Sequence, residues 1–81
     1  MPYHSQSLSE LPRGRRAIVQ QISGGQSISN RLLVLGFTIG AEILVKQNPG
    51  FGPVIVYVKE SRIALGRGEA AKVFVEEIRQ E

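Results

Sequence analysis

The sequence predicts a mainly β chain, a small curled barrel of about five short strands with one short α-helix and one helical turn. Three observations lead there. Aliphatic stretches at Arg15–Ile22, Ala41–Lys46, Val54–Val58, Ile63–Leu65 and Lys72–Ile78 are rich in Val, Ile and Leu, and turn chemistry separates most of them. One segment, Ser27–Leu35, instead carries apolar residues at helical spacing and runs into a glycine. Strands this short with tight connections favour a curled sheet, because closure removes the edges that an open sheet exposes.

Each element follows in order. Arg15–Ile22 comes after Pro12-Arg13-Gly14 and ends at Ser23-Gly24-Gly25, the loop that leads to the helix. Ser27 is the expected N-cap, and Ile28, Leu32 and Leu35 then share one helical face. Gly36 sits where a left-handed residue ends the helix, which leaves Phe37 to fold back against Leu32 as in a Schellman cap. Gly40 suits the positive-φ position of a type II turn over Thr38 to Ala41. Gly36 and Gly40 are therefore the structural turn residues of one elbow, and a β-branched residue at either costs about 1–3 kcal/mol.

Ala41, Ile43 and Val45 alternate with Glu42, Leu44 and Lys46 as a half-buried strand, and Asn48-Pro49-Gly50-Phe51-Gly52-Pro53 is hairpin-loop chemistry. Val54, Val56 and Val58 share one face and Ile55 and Tyr57 the other, so that strand is expected to be central or strongly curved. Glu60-Ser61-Arg62 is expected as a tight turn before Ile63–Leu65, and Gly66–Ala71 as a single helical turn before Lys72–Ile78 closes the sheet. The expected organisation is a flexible tail over residues 1–7 and one domain over residues 8–81.

Composition narrows function. A chain of 81 residues with 42% hydrophobic content buries about 60% of its unfolded surface, which leaves little volume for a deep active-site cavity. There are no cysteines, so a disulfide framework and a thiolate metal site are excluded. No apolar run approaches the roughly 20 residues of a membrane span, and Met1-Pro2-Tyr3-His4-Ser5 lacks the parts of a signal peptide, so a cytoplasmic location is expected. The lone histidine, His4, has no carboxylate orienter in view, and neither Gly24-Gly25 nor Gly66-Arg67-Gly68 is a phosphate-binding loop. No catalytic residue, cofactor site or high-affinity metal site is expected. Glu69, Glu76 and Glu77 read as solvated charges, since Glu76 and Glu77 are adjacent on a strand and point to opposite faces.

The order Leu8-x-x-Leu11-x-x-Gly14, Arg31-Leu32-x-x-Leu35-Gly36-Phe37-x-x-Gly40, Pro49-x-x-Gly52-Pro53, Ile63-x-Leu65 and Ala70-x-x-Val73-x-Val75 spans nearly the whole chain and resembles the FeoA family. The resemblance implies an SH3-like barrel that serves as a small cytoplasmic accessory protein of bacterial ferrous iron uptake. Its implied partner is the membrane transporter FeoB, whose cytoplasmic part carries a GTP-binding domain. The same barrel is similar to the C-terminal domain of iron-dependent repressors, where it follows a DNA-binding domain that this chain lacks. Three positions depart from the family pattern: Ile39 stands for a usual proline before Gly40, Gly52 for a usual aspartate before Pro53, and Gly66 separates Leu65 from Arg67 where an arginine commonly follows directly.

The candidate partner-binding residues are Arg31, Phe37, Phe51 and Arg67. Arg31 lies off the apolar helical face, as either an ion-pair partner or a contact to an acidic surface of the transporter. Phe51, at the tip of a Pro-Gly-Phe-Gly-Pro loop, is either an exposed anchor or a cap on the open end of the barrel. Phe37 reads first as a cap residue, with presentation outward as its other reading. An arginine finger from Arg31, Arg62 or Arg67 is chemically conceivable, with nothing to choose among them. The alternative functions are a small basic barrel that places Arg13, Arg15 and Arg16 on nucleic-acid phosphates, and a metal-responsive domain with weak Fe2+ or other divalent binding. A net charge of +3 with five scattered aromatics argues against the first. Self-association through strand edges is a further expectation.

Overall fold

Gln6–Ser7 (β1), Arg16–Ile22 (β2), Glu42–Gln47 (β3), Val54–Val58 (β4), Ser61–Leu65 (β5) and Val73–Ile78 (β6) form one antiparallel sheet in the order β1-β6-β2-β3-β4-β5. A 3₁₀ turn at Leu8–Glu10 follows β1, a helix α1 (Gln26–Leu35) links β2 to β3, and a one-turn helix α2 (Arg67–Ala70) links β5 to β6. The computed structural model describes residues 6–78.

Among the described residues the strand count is six, one more than the aliphatic runs suggest. Gln6 and Ser7, expected in a flexible tail, pair with Val75 and Phe74 of β6. Two polar residues carry no alternation to announce a strand; their ladder partners lie at the far end of the chain. Residues 1–5, including His4, fall outside the described residues.

The sheet curls because register shifts interrupt two ladders, between Val19 and Gln21 in β2–β6 and between Val45 and Gln47 in β3–β4. The concave face carries the core: Ala17, Val19, Ile43, Val45, Val54, Val56, Val58, Leu65, Val73 and Val75, closed by Leu8 and Leu11 of the N-terminal segment, Leu32, Phe37 and Ala70. The 3₁₀ turn and α2 pack together across the gap between the ends of the strand order, so helices rather than a ladder bring β5 round towards β1 and β6.

β4 is central as expected, lying between β3 and β5. Its outer face is wetter than its sequence suggests: Tyr57 is exposed, and the Lys46 ammonium lies 5.6 Å from its ring centroid. The β4–β5 connection is shorter than Glu60-Ser61-Arg62. Ser61 already pairs with Val58, and Lys59 and Glu60 alone turn the chain with φ of 49° and 65°, the pattern of a two-residue type I′ hairpin turn.

At the helix entrance the N-cap is Gly25 and not Ser27. Gly25 has φ 94°, which an L-residue rarely adopts, and its carbonyl accepts the first intrahelical bond from Ser29 at 3.1 Å. A backbone turn thus starts the helix before any capping side chain is available.

Candidate docking surface

The helix exit is built as a Schellman motif. Gly36 has φ 109°, its N–H donates to Leu33 C=O at 3.0 Å, and the Phe37 N–H donates to Leu32 C=O at 2.9 Å. Leu32 and Phe37 are both fully buried. Phe37 therefore belongs to the core and is not available to a partner: capping the helix leaves its ring no direction but inward.

Gly40, φ 91°, makes the type II turn, with the Ala41 N–H donating to Thr38 C=O at 3.0 Å. The turn is pinned to β2, since the Gly40 N–H donates to Val19 C=O at 2.8 Å and the Val19 N–H to Ala41 C=O at 2.9 Å. Three apolar side chains face water here, Leu33 and Val34 on the last turn of α1 and Ile39 on the elbow. Leu33 is 44% exposed, Val34 86% and Ile39 62%. They are absent from the expected contact residues, yet the sequence holds a signal: Leu33 and Val34 fall off the Ile28–Leu32–Leu35 stripe, and Ile39 occupies the first central position of a turn, where side chains point outward. Leu32 is the one buried residue of α1, so this helix sits on the barrel by a narrow stripe. Lys59 stands beside the elbow; a Cβ added at Gly36 would lie 3.6 Å from its side chain.

Arg31 takes the ion-pair role. Its Nη1 lies 2.9 Å from Glu69 Oε2, while Glu69 Oε1 accepts the Gly66 N–H at 3.3 Å, so Glu69 caps α2 and ties it to α1. The Arg31 side chain is otherwise largely in solvent, where such a pair adds little stability.

Arg67 does not project outward as an expected contact. Its Nη1 donates to Gly52 C=O at 3.2 Å, and its Nη2 to Ser9 C=O at 3.3 Å and to the Asn48 side-chain oxygen. Asn48 Nδ2 in turn donates to Ser9 C=O and Leu11 C=O, both at 2.9 Å, and its Oδ1 also accepts the Gly50 N–H at 3.3 Å. Asn48, which the sequence presents only as turn chemistry, is thus a node between the hairpin loop, the 3₁₀ turn and α2. Partners 37 and 39 residues away in sequence give no local signal. Phe51, at the loop tip, is 74% exposed and does not cap the barrel.

The elbow and the hairpin loop stand at opposite ends of β3. The elbow precedes β3 and the loop follows it, so the six residues of β3 separate them by about 20 Å. The basic stripe is also broken up: Arg15 pairs with Glu77, and Arg16 lies 3.8 Å from Glu42. Among the described residues no three His, Cys, Asp or Glu side chains gather in a metal-binding group, and no helix is long and apolar enough to cross a membrane.

Comparison with known proteins agrees with this architecture. The chain is 42% identical over 70 residues to an Fe(2+) transport protein A of Methanocaldococcus jannaschii, covering 86% of this chain and 84% of that one. It is 36% identical over 70 residues to the Fe(2+) transport protein A/Fe(2+) transporter FeoB fusion protein of Porphyromonas gingivalis, covering 85% of this chain and 8% of the fusion. The crystal structure of Stenotrophomonas maltophilia FeoA complexed with zinc, a prokaryotic SH3 domain protein, superposes with a TM-score of 0.79 at 34% identity, covering 91% of this chain and 96% of that one. The curled sheet with its glycine elbow is accordingly an SH3-like barrel, and, with the FeoA domain matching residues 6–77, this chain belongs to the FeoA family.

Proposed function

We propose that this chain is a non-enzymatic accessory protein of Fe(2+) uptake that docks on the cytoplasmic part of a FeoB-type transporter through the elbow patch of Leu33, Val34 and Ile39. The carrying observation is that patch: three exposed apolar side chains within seven residues, Leu33 and Val34 on the last turn of α1 and Ile39 on a turn held by three backbone hydrogen bonds. Exposed aliphatic surface on a rigid support is what an interface core requires, because little order has to be imposed on binding. The P. gingivalis fusion, in which a related domain and the transporter share one polypeptide, supports the identity of the partner. Lys59, whose side chain lies beside Gly36 of the elbow, favours an acidic rim on that partner. The reading assigns the protein to the cytoplasm, with its partner's soluble domain, and gives it no chemical step of its own.

The nucleic-acid alternative is disfavoured by the pairing of Arg15 and Arg16 with Glu77 and Glu42, which removes phosphate-binding charge where a groove-tracking surface would concentrate it.

The test is isothermal titration of the protein into the purified cytoplasmic domain of the cognate transporter, with Val34→Asp and Ile39→Asp beside wild type. Saturable binding that either substitution weakens by about tenfold or more supports docking at the elbow. Binding that both variants retain unchanged moves the interface elsewhere, and no binding by wild type overturns the docking reading.

A further inference from the structure

We infer that the hairpin tip is a second anchor for the same transporter domain, with Phe51 entering an apolar pocket and Arg67 and Asn48 acting as positioning residues that hold it ready. The inference rests on the docking reading above and names a contact at the opposite end of β3 from the elbow.

The loop Asn48–Pro53 has every reason to be loose. Gly50 and Gly52 occupy φ of 98° and 71°, and two glycines flanking one residue leave a short segment many conformations. It is instead fastened at its base and at Gly52. The Asn48 carboxamide uses its donors on the Ser9 and Leu11 carbonyls and its oxygen on the Gly50 N–H and Arg67. Arg67 spans from Asn48 and Ser9 to the Gly52 carbonyl, the residue directly after Phe51. A planar guanidinium is suited to this because its two Nη groups reach separate acceptors at fixed angles, which an ammonium does not. The platform is firm as well, since Leu8 and Leu11 on either side of Ser9 are fully buried.

All of this order supports a side chain that does nothing for the core. Phe51 is 74% exposed, the largest exposed apolar side chain among the described residues. A loop selected for stability alone would put a polar residue at its tip. A fixed backbone behind an exposed aromatic lowers the ordering cost of inserting that ring into a partner's pocket, and aromatic anchors of this kind dominate interface energetics. Arg67 and Asn48 then act on docking through Phe51, without touching the partner.

The experiment is a double-mutant cycle by titration calorimetry against the same transporter domain, using wild type, Phe51→Ala, Arg67→Lys and Phe51→Ala/Arg67→Lys, with a thermal melt of each. Arg67→Lys keeps the charge and most of the stem; Asn48→Ser replaces it in the cycle if it does not fold. Phe51→Ala is expected to weaken binding about tenfold. Arg67→Lys is expected to weaken it about threefold to tenfold in the wild-type background, and not measurably in the Phe51→Ala background. Amide exchange at Gly50, whose N–H is held by the Asn48 side chain that Arg67 braces, is expected to quicken in Arg67→Lys. If Phe51→Ala binds like wild type while Val34→Asp does not, the hairpin anchor is overturned and elbow docking stands. If Arg67→Lys weakens binding equally with and without the Phe51 ring, Arg67 meets the partner directly and the positioning role is overturned. If wild type does not bind, the docking reading fails and the anchor with it.

Discussion

The guanidinium of Arg67 donates to the side-chain oxygen of Asn48, joining the first residue of α2 to the residue that follows β3. Through this pair, and the Ser9 carbonyl to which both side chains donate, the hairpin loop, the 3₁₀ turn and α2 are tied together. The carboxamide is needed for both of its ends, and this gives a sharp test. Asn48→Asp is isosteric and would strengthen attraction to Arg67, yet it replaces a donor by an acceptor facing the Ser9 and Leu11 carbonyls. Unfolding in urea is expected to show a loss of about 1–3 kcal/mol; a gain would mean that the ion pair outweighs the two backbone bonds.

Gly36 is required for its conformation and not for space. A Cβ there would come no closer than 3.6 Å to the Val58 and Lys59 side chains, which is ordinary contact. Gly36→Ala is therefore expected to destabilise by about 1–3 kcal/mol through its φ of 109°. Trimming the Lys59 side chain in the same protein should recover none of that loss in a denaturant titration.

The β4–β5 turn contains strain that substitution can relieve. Lys59 and Glu60 both have positive φ, where glycine and asparagine are favoured. Glu60→Gly is expected to stabilise by about 0.5–1 kcal/mol, the relief of a left-handed L-residue offsetting the entropy that glycine adds to the unfolded chain. A melting temperature raised by a few degrees is the readout.

Val34→Asp and Ile39→Asp replace exposed side chains outside the core, so their stability should stay within about 0.5 kcal/mol of wild type. If their effect is on docking alone, combining Val34→Asp with Phe51→Ala should give additive losses of affinity, since the two sites lie about 20 Å apart along β3. Strong coupling between them would point instead to a single face.

The elements legible in the sequence are those decided by neighbours in the chain. Gly36 and Gly40 act through their own φ angles, and the turns they make close by bonds three to five residues long, so the shape of the elbow follows from spacing while its bonds to Val19 come from the sheet. The alternation of β3 and β4 likewise reports which face meets the core. Spacing misplaces the start of α1 because Gly25 and Ser27 compete as caps over two residues, and backbone geometry at Gly25 prevails.

For the candidate site the balance is different. That Phe37 is buried and Phe51 exposed depends on where each loop returns, and Arg67 faces Asn48 only because α2 is carried across the end of the curled sheet. The amino-acid sequence by itself determined the elbow, the aliphatic strands, and the family to which they belong, because short-range backbone preference and side-chain alternation are written locally. Tertiary structure alone decided that Gln6–Ser7 pairs with β6, that Asn48 and Arg67 hold the hairpin tip, and that the two exposed apolar sites stand at opposite ends of β3. Those outcomes rest on contacts between residues up to 69 positions apart, as Gln6 and Val75 are, which form only once the core has brought the chain together.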